Sequence, residues 1–409
     1  MPLYLYDDAQ ARTFEPFAAT RPVSELCAGA MLTRQRWVHL AGMPAAGSLA
    51  APHLRDFAEP GAPPVVDRVP AGSWIANSRC VPAAAAWPAA DILLCLGRVA
   101  AVRAARPAEA RECEAGRLAL DALAPPGGTR AEIGGRWIEA VWDYVGGLPE
   151  QLAADIPVVA AALTLDDAAQ GAVTRIGGHP LYLERGATVE PHVVFDLRAG
   201  PVLVRRGATV QAFTRVVGPC AVGEGSTVVA DRIAASSIGE RCKVHGELSV
   251  SIVLGYTNKS HDGFVGHSYL GRWVNIGAGT ITSNLKNTYG AVQLWTPGGV
   301  RDTGLTFLGS LIGDYARTGI GMRLTTGTVI GAGANVIGAS APKYVPPFAW
   351  GDAGGDGTGD GYDTFALDKF IEVAARQMAR REVALDEGGR RHLTSTHAHA
   401  LTARGSPAR

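Results

Sequence analysis

Charge of one sign is not in excess in this chain. Its 38 basic residues balance 38 acidic ones over 409 positions. No run of like charge rises above an ordinary solvated surface, which argues against nucleic acid and anionic membrane as partners. Lysine is scarce, five against 33 arginines, so Lys259 and Lys286 stand out. Cysteine is sparse too: the six, at positions 27, 80, 95, 113, 220 and 242, include no Cys-x-x-Cys pair. That pattern predicts buried, reduced thiols and a cytoplasmic protein. No apolar run reaches membrane-spanning length. The opening Met1-Pro-Leu-Tyr-Leu-Tyr-Asp-Asp lacks the basic and apolar regions of a signal peptide.

What the chain has in abundance is a period of six. One column reads Val204, Val210, Val216, Val222, Val228; a second Phe264, Leu270, Ile276; a third Ile312, Thr318, Leu324, Ile330, Val336. A small residue often follows four places on, as at Ala208, Thr214, Cys220, Ser226, Thr280, Ala316, Thr328 and Ala334. A hexapeptide period predicts a parallel β-helix, each hexapeptide forming one face of a triangular prism. Residues about 18 apart then stack with a rise of ~4.8 Å. Residues 186–345 hold roughly seven to nine such coils. A β-sandwich is the competing reading, but its strands alternate with period two.

Ahead of the repeats, residues 1–165 read as an α/β domain, with strands at 3–6 and 91–96 and helices at 24–37 and 148–154. The switch into hexapeptides falls between about 170 and 190. Beyond the repeats, residues 351–361 are rich in Gly and Asp and read as a linker. Residues 362–385 follow as a helix, capped by Thr364, with Leu367, Phe370, Ile371, Ala374 and Met378 on one face. The last 20 residues read as disordered.

Residues 256–289 carry the chemistry, because they place His, Lys, Asn and Tyr among the repeats. Lys259-Ser-His261, then Val274-Asn-Ile-Gly-Ala-Gly-Thr-Ile-Thr282 and Asn284, resemble the acetyltransferase half of bacterial bifunctional N-acetylglucosamine-1-phosphate uridyltransferase/glucosamine-1-phosphate acetyltransferase. Phe307-Leu-Gly-Ser310 and Ile330-Gly-Ala-Gly333 resemble that family's acetyl-CoA segments. The resemblance implies left-handed coiling, a homotrimer, acetyl-CoA as co-substrate and His261 as catalytic base. It also implies Lys259, Asn275, Asn284, Lys286, Tyr289 and His267 as substrate-side residues, and Ala278, Ser310 and Ala332 near the coenzyme. Two positions depart: the family's tyrosine after the asparagine is Leu285, and its aromatic three residues beyond the histidine is Phe264.

More faintly, Arg12-Thr-Phe-Glu-Pro-Phe-Ala-Ala-Thr-Arg-Pro22 followed by Ala28-Gly29 resembles the opening of sugar-1-phosphate nucleotidyltransferases. Asp7-Asp8 stands where that family has a Gly-rich turn, and Val23 where it has a lysine. The layout resembles a variant group of bacterial sugar nucleotidyltransferases. The resemblance implies a sugar phosphate and a nucleoside triphosphate as substrates. Arg12 and Arg21 would then hold triphosphate, with Mg²⁺ bridged by Asp7 or Asp8.

A base with pKa near 7 suits acyl transfer to an amine, because only the neutral amine attacks a thioester. His261 read alone is a surface residue at a prism corner; with Lys259, Asn275 and Asn284 at their spacing it is the base. His267, six residues on, occupies the equivalent place on the next face, and which of the two is the base stays open. Asn275 also fits an asparagine ladder between coils. Backbone N–H groups of 277–279 are candidate oxyanion donors. Two other readings compete: a γ-carbonic-anhydrase-like zinc site using His245, His261 and His267, and a solenoid that only trimerises a nucleotidyltransferase.

Overall fold

The computed structural model describes residues 1–166, 173–352 and 361–405. They form two compact units, one of Met1–Asp143 with Asp386–Ala403, the other built on Tyr144–Leu385.

The first unit holds a six-stranded mixed sheet, in the order Ala45–Leu49, Leu3–Tyr6, Trp74–Asn77, Arg98–Arg103, Ile92–Cys95, Arg130–Glu132. The first three strands are parallel, and the sheet turns antiparallel at Arg98–Arg103. Alternation along the strands sends Leu3 and Leu5 to a core with Trp37, Leu40 and Trp74, and Tyr6 to one with Leu49 and Val102. The strands expected at 3–6 and 91–96 are present. The helix expected at 24–37 is not continuous: a hairpin of Cys27–Ala28 and Met31–Leu32 interrupts it, and the helix is Thr33–Ala41. Gly29, at φ 76°, makes the turn that breaks the helical path.

The tail expected to be disordered is a helix, Glu387–Gly405, in this same unit. Leu393, Thr396, His397 and Ala400 are buried. They repeat at i, i+3, i+4, i+7, one helical face. Thr and His at core positions disguise that period in sequence. Arg391 pairs with Asp56 at 3.1 Å, and His399 stacks on His53 with ring centroids 3.7 Å apart.

The second unit is a parallel β-solenoid. Its longest ladder stacks nine strands, from Leu181–Leu183 to Tyr344–Val345, all parallel. Val202 pairs with Cys220, Val210 with Val228 and Ser310 with Thr328, each pair 18 residues apart as the period requires. Val204, Val210, Val216, Val222 and Val228 point inward and are fully buried. Phe264 does not: the inward residue of its strand is Val265, and Phe264 lies half-buried outside. Pairing begins at Thr174–Ile176, inside the 170–190 range expected for the switch and ahead of residue 186. One coil is much longer. Tyr269 pairs with Leu311, and between them the chain leaves the stack through a Leu285–Phe307 bridge and a hairpin of Gln293–Thr296 with Gly299–Asp302.

Helix Leu148–Ala160 packs on solenoid strands Val202–Val204 and Cys220–Val222. Helix Leu367–Ala379 buries Phe370, Ala374 and Met378 as the period predicts. Thr364 does not cap it; Ala366 sits there, and Thr364 pairs with Ala349 in a short strand. The expected linker at 351–361 falls mostly at 353–360, outside the described residues.

Candidate functional site

Strand Asn258–Lys259 alternates outward and inward like the rest of the solenoid, and this puts Lys259 inside. Lys259 is 2% exposed, and its ammonium donates to the carbonyls of His245 at 2.6 Å and His261 at 2.8 Å. Burial pushes its pKa down to about 8. The side chain expected to meet substrate instead holds the backbone of the corner that carries His261. His261 is exposed, and its imidazole makes no hydrogen bond among the described residues. His245 turns to Asp262, Nε2 to Oδ1 3.6 Å.

His267 sits at the next corner, after strand Val265–Gly266, with φ at 47°. Its Nδ1 lies 2.8 Å from the amide nitrogen of Asn284. Its ring stacks on Phe307, centroids 5.2 Å apart, and burial lowers its pKa. An amide nitrogen only donates, so Nδ1 accepts, and the neutral ring carries its proton on Nε2. Gly266 allows this packing: a Cβ there would lie 2.8 Å from the Asn284 amide and 2.3 Å from the Phe264 ring. His267, Asn284, Phe264 and Phe307 therefore form one constellation, with His261 on the neighbouring corner. Phe307 was not singled out as a contact of His267; its only sequence signal was its place at the head of Phe-Leu-Gly-Ser.

Asn275 joins the asparagine ladder: Asn258 donates to its Oδ1 at 2.9 Å. Lys286 donates to the Ala291 carbonyl at 2.9 Å, bracing the excursion, and Tyr289 is largely exposed on it. Ser310 and Ala332 have no exposed surface, so neither touches a coenzyme as the fold stands; Ala278 is half-buried at the surface. Two of the three expected oxyanion donors already have acceptors: Gly277 N–H donates to Thr318 Oγ1 at 3.0 Å and Gly279 N–H to the Asp262 carbonyl at 3.1 Å. Among the described residues no three His, Cys, Asp or Glu side chains converge as a metal site. Within one chain His245, His261 and His267 therefore do not form the zinc centre considered above.

In the first unit, Arg12 follows the strand Leu3–Tyr6 and donates to the carbonyls of Asp7, Ala50 and Cys113 at 3.1–3.2 Å. Carbonyls orient the guanidinium without neutralising it. It lines a cavity of about 360 Å³ with Arg55 and Arg111 and with the carboxylates Asp67 and Glu114, Arg55 lying 3.5 Å from Asp67, beside the carboxyl end of strand Ala45–Leu49. Ligands of open α/β sheets bind at such strand ends. Arg55 and Arg111 carry no motif, and the arginine-rich composition hides them. Arg21 is not in this cavity. It is 2% exposed and forked onto Glu59 at 2.9 and 3.0 Å, which makes it a structural pair.

The metal reading of Asp7 and Asp8 also fails on geometry. Asp7 is 3% exposed and accepts the Val23 N–H at 2.9 Å; burial raises its pKa to about 6. Asp8 is partly buried, which alone would raise its pKa, but hydrogen bonds from Arg79 and Asn77 outweigh burial and lower it. Arg79 Nη2 lies 2.7 Å from Asp8 Oδ2, where a cation would otherwise sit.

Residues 3–163 match the family described as sugar nucleotidyl transferase. A bifunctional sugar-1-phosphate nucleotidylyltransferase/acetyltransferase of Sulfurisphaera tokodaii is 33% identical over 90 residues, 22% of this chain and 22% of its own length. A bifunctional protein GlmU of Desulfitobacterium hafniense is 30% identical over 192 residues, 40% of this chain and 39% of its own. Another, of Sphingopyxis alaskensis, is 38% identical over 107 residues, 25% of this chain and 23% of its own. The chain spans well under half the length of each of these curated relatives. No helix among the described residues is long and apolar enough to cross a membrane.

Proposed function

We propose that this chain is a sugar-nucleotide pathway transferase whose solenoid moves an acetyl group from acetyl-CoA to the amino group of a hexosamine phosphate. The observation that carries this reading is the union, in one chain, of a sugar nucleotidyl transferase match with a parallel solenoid that builds the His267–Asn284–Phe307 constellation beside His261. The two histidines divide the work. His261 is the base: exposed and without a protein partner among the described residues, it takes the proton from the amine. The amine nitrogen bonds the acetyl carbon, the C–S bond breaks, and the coenzyme leaves as a thiol that takes up the proton. His267, kept neutral by burial and with Nε2–H available, donates to the oxygen on which charge develops. This replaces the Gly277 and Gly279 amides, which already have acceptors.

The N-terminal unit transfers a nucleotidyl group from a nucleoside triphosphate to the phosphate oxygen of a sugar-1-phosphate, breaking the α–β phosphoanhydride bond and releasing pyrophosphate, with Arg12 and Arg111 around the triphosphate. The Mg²⁺ that the resemblance implies does not fit Asp7 and Asp8, so no step is assigned to it here. The solenoid works as a homotrimer in the cytoplasm, a second prism edge closing a water-poor site over His261.

The test is thiol release from acetyl-CoA with a panel of amino sugar phosphates. Release that depends on both the amine and His261 supports the reading. Absence of release with every amine, from protein shown to be folded and trimeric by sedimentation, overturns it.

A further inference from the structure

One outward column of the solenoid is built of Lys243, Asn258, Asn275, Arg317 and Asn335, each paired in register with the next. Helix Leu367–Ala379 crosses it. Gln377 Nε2 donates to the Trp273 carbonyl at 2.6 Å, Arg317 donates to Gln377, and the Tyr315 hydroxyl lies 3.8 Å from Met378 Sδ. Between helix and column lies a cavity of about 400 Å³.

Its cationic wall is Lys243, Arg317, Arg376, Arg380 and Arg381, and among the described residues no carboxylate lines it. Arg376 is 2.5 Å from Glu372; the other four make no salt bridge among the described residues. Like charges gathered in a partly enclosed space repel strongly, and the chain as a whole carries no net charge to explain them. Burial lowers the Arg317 pKa to about 10, and it lowers Arg381, where Arg380 and Arg241 add to the effect. Between Lys243 and Arg317 in the column, Asn258 and Asn275 are joined by their amides, and the Asn275 amide nitrogen has no protein partner among the described residues.

We propose that this cavity binds a phosphorylated small molecule, with its phosphate groups on Arg317, Arg380, Arg381 and Lys243 and its hydroxyl-bearing part on Asn258 and Asn275. Arginine forks match phosphate oxygens, and side-chain amides match hydroxyls. The volume falls at the low end of the roughly 300–1,000 Å³ common to ligand pockets. Ser260 donates to Asn258 Oδ1, so the cavity adjoins the corner that bears His261. The inference rests on the acetyl-transfer reading for the identity of the ligand, while an anion bound here requires no chemistry at His261. Two sources share the chemistry: an amino sugar phosphate and the phosphates of coenzyme A.

Calorimetry on the full chain with inorganic pyrophosphate, an amino sugar 1-phosphate and coenzyme A tests it. In the Arg380→Gln/Arg381→Gln double variant, which changes one exposed and one half-buried side chain, the affinity for pyrophosphate should fall about 10-fold or more, with the thermal melt changed little. Arg317→Gln should lose as much; the double variant keeps the test sound if Arg317→Gln fails to fold. Whichever of the other two probes weakens in parallel identifies the natural source. Wild-type protein that binds none of the three, or that binds them no better than the double variant, overturns the proposal. Binding that persists without thiol release would leave this cavity standing and remove only the acetyl-transfer reading.

Discussion

Lys259→Met removes a charged side chain from the solenoid interior, and its effect on stability should depend on pH in a defined way. The ammonium is 2% exposed, and burial lowers its pKa from 10.5 to about 8; Asp262 and Asp231 pull weakly the other way. Below pH 8 the lysine is protonated both in the fold and in the unfolded chain, so the fold bears the full cost of burying charge. Between about pH 8 and 10.5 the folded lysine is neutral while the unfolded one still holds its proton, so stability rises with pH. A shift of roughly 2.5 units, at ~1.4 kcal/mol each, amounts to about 3 kcal/mol. The hydrogen bonds survive deprotonation, because a neutral amine keeps two N–H donors for the carbonyls of His245 and His261.

Urea unfolding of wild type and Lys259→Met across that pH range isolates this residue from every other titrating group. The wild type should gain about 3 kcal/mol on the variant between roughly pH 7.5 and 10.5. A difference that stays flat or moves the other way refutes the buried-lysine argument. Thiol release should also fall ~10-fold or more in the variant, because the His261 carbonyl loses its tether.

His261→Ala should lower thiol release by ~10²–10⁴, with the fold intact because the side chain is exposed; if His267→Ala costs more and leaves no activity to rescue, the roles are reversed. Asn284→Ala should alter His267 without touching His261, and a pH profile identical to wild type would show that the amide does not set the tautomer. Arg12→Gln should weaken nucleoside triphosphate binding by ~10-fold, whereas Arg21→Gln should chiefly destabilise the N-terminal unit, since it strands Glu59; equal effects on binding would put Arg21 back in the site. The His53 pKa is lowered to about 4 by burial and by its neighbours His399 and His392. Its contribution is therefore complete above about pH 6.5 and lost as pH falls toward 4, so acid unfolding of the wild type but not of His53→Gln should show this component.

The fold was legible where one physical demand dominated. Six-residue spacing of aliphatics has a single economical solution, and the columns at Val204–Val228 and Ile312–Val336 pack inward as the period requires. The second column departs by one residue at Phe264, because the step between the inward residues Val265 and Leu270 is five residues and not six. There the smaller Val265 fills the axis, while Phe264 serves the outer surface. The Glu387–Gly405 helix was illegible for the opposite reason. Its buried face includes Thr396 and His397, polar types that a hydrophobicity pattern counts as exposed. Asp8 and Arg21 are illegible for one reason: a short charged motif shows which ions are present but not which are already paired, and Arg79 and Glu59 lie far along the chain, while Asp7 is buried against the Val23 N–H.

The site shows the same division more sharply. Sequence spacing picked out His261, His267 and Asn284, but treated the two histidines as equivalent positions on successive faces. The fold makes them chemically unequal. An amide nitrogen against Nδ1 fixes the neutral His267 with its proton on Nε2, so that nitrogen can donate but cannot accept a proton until the ring changes tautomer. His261 has no such constraint, and the tether that steadies it acts on its carbonyl through Lys259 rather than on its ring. A base needs a free lone pair, and an oxyanion donor needs a fixed N–H. The distinction lies in a contact across 17 residues of sequence, between a prism corner and the start of an irregular excursion. A six-residue period cannot encode it, because periodicity describes the walls of the prism, and the chemistry sits where the chain departs from them.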